Sequence, residues 1–230
     1  MNRLKPSFIS ITLLLLVLSH GIYGLSGKDG FIELELWTEV TETIPAMVDE
    51  KKSYLTDDEI SHRVLEDAAW IISGMVYGFD VIYTPLDLAR NVDEYLEVTP
   101  IASIPWGDEK LEIIDTWVSN GKFSLQVRYF PDDAQITRLK LWESNLFPNA
   151  EGIGNVSIFS GYQGRVRSIK TGIKEALRNY LRIRKTNKPR EIRCRVLLSE
   201  VPYTILDAGG YKSRIKITIK FTEIIPYSYY

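Results

Sequence analysis

Lys170, Lys174, Arg178 and Arg182 recur every four residues, so a helix would draw them into one line of positive charge. Like charges at this spacing oppose each other by a few tenths of a kcal/mol per pair, roughly 1 kcal/mol over three pairs, unless an anion lies alongside. The chemistry on offer is recognition of negative charge. An outside partner would be a lipid headgroup, an envelope polymer or an acidic protein. The inside partner would be the chain itself. Residues 28 to 109 hold 19 acidic and 5 basic residues, a net of −14, and residues 164 to 220 hold 16 basic and 4 acidic, a net of +12, although the whole chain sums to −2.

Other chemistries have less to draw on. Beyond His20 near the start, His62 and Cys194 are the only histidine and cysteine. One of each cannot furnish the usual nitrogen and sulfur ligand set of a zinc site, and a nucleophile system would have to be built on His62 alone. His62 stands one helical turn before Glu66, as a surface histidine with a carboxylate neighbour does. Cys194 alternates with Ile192, Val196 and Leu198, which makes it a small core residue. Carboxylates are numerous, and a hydrolase can use two as acid and base without any local motif. Most already have structural employment: Asp57, Asp58 and Glu59 at a helix start, Glu33, Glu35 and Glu39 on the polar face of a strand, and Asp132 and Asp133 at a turn. No acidic run has calcium-loop spacing and no glycine cluster cradles a phosphate, so neither a metal nor a cofactor is expected.

The N-terminus narrows the setting. Arg3 and Lys5 precede the apolar run Phe8 to Leu18, and small residues follow at Ser19 and Gly21 and again at Gly24 and Ser26. This is the pattern of a secretory signal peptide spanning residues 1–26, cut after Gly21 or Ser26; an uncleaved anchor is the alternative. Export argues against nucleic acid as the partner of the basic line. A single cysteine permits no intrachain disulfide, and about 200 residues can fold without one, so a bacterial periplasm or cell envelope is the expected location. Asn155-Val156-Ser157 is a glycosylation sequon that matters only in a eukaryote.

Periodicity and turn chemistry set these residues on regular secondary structure. Phe31 to Glu42 alternates as a half-buried strand. Thr56-Asp57-Asp58-Glu59 is a capping box opening a helix to Val76. On that helix Ile60, Val64, Leu65, Ala68, Ile71, Ile72 and Met75 cover a wide arc, and Glu59, Arg63 and Asp67 form an exposed i, i+4 ladder. Phe79 to Tyr83 is a strand, and Asp87 to Leu96 suggests a short helix. Leu111 to Phe130 is a hairpin about Asn120-Gly121. Pro131-Asp132-Asp133 opens a piece ending near Ser144 that reads as a helix capped by Asp133, with a strand as the alternative. The basic line lies on a long helix from Gln163 to Arg184, followed by strands from Glu191 to Leu206 and from Lys212 to Ile225. Val81 to Asp87 and Val201 to Asp207 match at five of seven positions, a faint internal echo.

These elements predict an α+β fold with a largely antiparallel sheet and two long helices packed on one face, in a single domain over residues 27–230. The function expected is that of an exported cell-envelope (periplasmic) binding or scaffolding protein without a cofactor. It would engage an anionic envelope component or acidic protein through Lys170, Lys174, Arg178 and Arg182. The alternative is an envelope hydrolase with paired carboxylates.

Overall fold

A computed structural model describes residues 30–40, 56–144, 146–184 and 187–227. Residues 1–26, read above as a signal peptide, and the chain end at residues 228–230 lie outside the described residues.

The fold is α+β, and every strand pairing in it is antiparallel. A small sheet has the order β1 (Ile32–Glu39), β5 (Lys122–Tyr129), β4 (Leu111–Ser119). A larger sheet runs β3 (Tyr95–Pro100), β2 (Phe79–Thr84), β7 (Glu191–Leu198), β9 (Gly210–Ile225), β6 (Asn149–Ser157), with β8 (Tyr203–Asp207) also on β9. The β4–β5 turn places Asn120 at φ 51° and Gly121 at φ 71°, the positive angles its Asn-Gly pair suits.

The first long helix, α1 (Asp57–Val76), begins where expected: Thr56 Oγ1 accepts from the Glu59 amide and the Glu59 carboxylate accepts from the Thr56 amide. Its wide apolar arc has two neighbours. Ile32, Leu34 and Leu36 of β1 and Leu125 and Val127 of β5 join the same buried cluster as Val196 and Leu198 of β7, so α1 lies between the two sheets. That enclosure explains why Ile71 and Ile72 are both within 1% of full burial.

The second long helix, α3 (Gly164–Arg184), crosses β6 and β9 on the same core side. Here the backbones almost touch. A Cβ built at Gly154 would lie 1.9 Å from the Ser168 carbonyl oxygen, and one at Gly152 would lie 2.1 Å from that of Gly172. Only glycine at these two positions lets the strand and helix approach so closely. The opposite face of the large sheet is partly covered by a short third helix, α2 (Asp133–Trp142), whose Leu139 and Trp142 bury Leu197.

Several boundaries differ from the sequence reading. The cap of α2 is Asp132, not Asp133, because its carboxylate accepts the Gln135 amide while the Gln135 side chain accepts the Asp132 amide. Leu88–Arg90 is one 3-10 turn, and β3 starts at Tyr95, so Asp87 to Leu96 is no helix. The expected strand Glu191 to Leu206 is two strands. Ser199 donates to the Lys216 carbonyl while Tyr203 already faces Arg214, so the intervening residues, including donor-less Pro202, bulge out of the ladder. The echoing segments occupy unlike positions, one in β2 between β3 and β7, the other leading into β8 on β9 alone.

Candidate functional site

The basic line on α3 divides in two. Lys170 and Lys174, beside the apolar stripe, are turned to the protein. Lys170 Nζ lies 5.7 Å from the centre of the Trp70 ring on α1, and burial, with Arg167 nearby, pulls its pKa below the usual lysine value. Lys174 Nζ is 2.7 Å from Glu94 Oε2, in the loop before β3, and 3.8 Å from Glu175. The chain's acidic half therefore supplies the counter-charge to Lys174. It does so elsewhere too, in the Asp67–Arg165 and Asp80–Arg195 pairs.

Arg178 and Arg182 are exposed and line a cavity of about 530 Å³. The helix explains the division: a four-residue repeat advances 400° and drifts about 40° per step from the core stripe, so the later members emerge into solvent. Arg178 pairs with Glu175 at 2.9 Å. Arg182 has no carboxylate partner among the described residues. Tyr83, Ile192 and Leu181 contribute buried apolar surface to this cavity, Asn179 offers an amide, and Lys188 brings a third cation, its ammonium donating to the Leu86 carbonyl.

Two carboxylates from segments distant in sequence, Glu94 and Glu175, also meet in the cavity. Both are held by cations. Burial pushes the Glu94 carboxyl up, but the hydrogen bonds from Lys174 and Tyr83 and the Lys174 charge more than offset it, leaving Glu94 below its usual range. The Tyr83 hydroxyl is pushed up by burial and by Glu94, so it remains a donor.

The carboxyl that does move upward lies elsewhere. Asp67 was expected on an exposed ladder with Glu59 and Arg63; instead it turns inward, 3.2 Å from the buried Arg165 guanidinium. Burial raises its pKa to about 6 against the opposing Arg165 charge. Arg165 also donates to the Trp37 carbonyl and lies 4.7 Å from the centre of the Trp37 ring. This cluster ties elements together and does not line the cavity.

His62 keeps its expected surface place, 3.6 Å from Glu66, and stacks on Trp106 at 4.5 Å. Cys194 is buried, and burial pushes its thiol up to about 12, which suppresses the thiolate a nucleophile requires. Among the described residues no group of three or more His, Cys, Asp or Glu is placed to hold a metal ion, and no helix is long and apolar enough to cross a membrane. Sequence reasoning missed Tyr83, Glu94 and Lys188, for which only the folded sheet supplies the proximity.

A protein-family model matches residues 22–227. A curated relative from Treponema pallidum (strain Nichols), described as an uncharacterized protein, is 25% identical over 199 residues, covering 86% of this chain and 83% of its own. No solved structure matches the chain.

Proposed function

The chain belongs to the family whose model spans residues 22–227, and from that premise we propose that it is an exported cell-envelope protein that binds or scaffolds an anionic envelope component through the C-terminal half of α3. The observation that carries this reading is the opening of Arg178 and Arg182 into the 530 Å³ cavity beside Lys188 and an apolar wall. A guanidinium fork suits carboxylate or phosphate, and the apolar wall suits the carbon skeleton bearing it. The lysines of the same line, Lys170 and Lys174, serve the interior and are not part of the proposed contact.

Export is supported by the charged start and apolar run. The meeting of Glu94 and Glu175 in the cavity favours a second reading, a carboxylate hydrolase. Against it, a general acid needs a carboxyl kept protonated near neutrality, and Glu94 is shifted the other way. Two measurements test the proposal. Mass spectrometry of the protein recovered from its native envelope should find an N-terminus between Ile22 and Gly27. Cross-linked partners recovered with the wild type should be lost from Arg178→Gln with Arg182→Gln; an unchanged partner set would refute the site.

A further inference from the structure

A second groove lies on the far side of the large sheet, between α2 with its following loop and the outward face of β7 and β9. Its volume is about 550 Å³. Arg138, Lys140, Arg195 and Lys220 line it. Arg195 and Lys220 sit directly opposite each other on neighbouring strands, a like-charge pairing that weakens a sheet unless an anion is shared. Asp80, the next residue across the row, neutralises Arg195 at 2.9 Å. Among the described residues no carboxylate lies within ion-pair distance of Arg138, Lys140 or Lys220. In a chain of net charge −2, this groove is locally cationic. The Ser144 hydroxyl lines it too and has no hydrogen-bond partner among the described residues.

The groove also carries apolar surface that folding does not use. Trp142 and Phe147 pack together at 5.4 Å and form part of its wall. Beside them Leu141 is 66% exposed and Leu146 83% exposed. Cations with adjoining bare leucines are the composition of an interfacial membrane contact: phosphates meet the charges while the leucines enter the headgroup–acyl boundary.

We infer that this groove docks the protein onto an anionic lipid surface. A bilayer surface offers phosphates to Arg138, Lys140 and Lys220 and, in the same plane, an apolar boundary to the two leucines. The site is separate from the cavity at Arg178 and Arg182, and its test leaves that cavity untouched.

The test is co-sedimentation of the full chain with vesicles of phosphatidylcholine containing about 30% phosphatidylglycerol against vesicles of phosphatidylcholine alone, read as the ratio of the two affinities. Neutralising Lys140→Gln with Lys220→Gln should lower that ratio by about tenfold or more, as loss of two basic contacts to a charged leaflet implies. Leu141→Ser with Leu146→Ser should weaken binding to the anionic vesicles severalfold, and Leu146→Ser alone should act in the same direction. All these side chains lie on the surface, so denaturation midpoints should be unchanged. Removing two charges elsewhere, Lys122→Gln with Lys212→Gln, should leave the ratio within about twofold. No preference of the wild type for anionic vesicles would overturn the inference. So would leucine variants that bind like wild type while soluble polyglutamate competes, since that outcome assigns the groove to an acidic protein.

Discussion

Arg165 donates to Asp67 across 3.2 Å and, through its other terminal nitrogen, to the Trp37 carbonyl, so one buried guanidinium joins α3 to α1 and to β1. Three elements remote in sequence meet on this charge. Removing one partner of a buried pair leaves the other unpaired in a medium that solvates it poorly. Arg165→Met is therefore expected to cost about 3–5 kcal/mol, measured by chemical denaturation.

The same pair gives a pH signature. The Asp67 carboxyl stands at about 6 in the folded chain against 3.8 ordinarily, so between these values the folded state holds a proton that the unfolded state has released. Stability falls with rising pH wherever the unfolded state binds fewer protons. Wild type should accordingly lose stability relative to Asp67→Asn as pH rises from about 4 to about 6, and the difference should level off above this window. A difference independent of pH would show that Asp67 stays ionised throughout.

The close approach of β6 to α3 makes a sharper structural prediction. Gly154→Ala would bring a methyl within 1.9 Å of the Ser168 carbonyl, where neither backbone can yield cheaply. Overpacking in well-packed interiors costs about 1–3 kcal/mol, and a backbone-to-backbone clash belongs at or beyond the upper end. A lowered denaturation midpoint for Gly154→Ala is expected; by contrast Gly107→Ala, with nothing within 4 Å, should lose only what its positive φ costs.

The Thr56 cap, the Asn120-Gly121 turn and both long helices rest on local chemistry, and local chemistry is visible in a sequence. β6 was not readable as a strand because its core-facing positions, Gly152 and Gly154, carry no apolar side chain; their burial comes from the helix backbone. Asp67 was misplaced because an i, i+4 pattern cannot reveal an arginine 98 residues away. The basic line was legible, but its division was not: the counter-charge Glu94 comes from the segment between β2 and β3, and only sheet pairing brings it to α3.

That division predicts different behaviour from neighbouring cations. Lys174 is an internal partner of Glu94, so Lys174→Gln should lower stability, by about 1 kcal/mol for a partly exposed pair. Thr56→Ala should likewise cost about 1 kcal/mol through loss of the cap, and Ile71→Ala, enclosed between two sheets, about 2–5 kcal/mol. Denaturant midpoints measure all three.

Whether Arg178 and Arg182 form an anion site is decided by calorimetric titration of the full chain with glucuronic acid and with glucose 6-phosphate, small probes carrying a carboxylate and a phosphate on a sugar. Saturable binding of at least one probe is expected, weakened about tenfold or more in Arg178→Gln with Arg182→Gln, as the loss of charged hydrogen bonds implies. Rising salt should weaken the wild type, while the denaturation midpoint of the variant stays within about 0.5 kcal/mol of wild type. Equal affinity in both proteins, or no binding of either probe with a lowered midpoint in the variant, would contradict it and leave these arginines as part of the internal architecture.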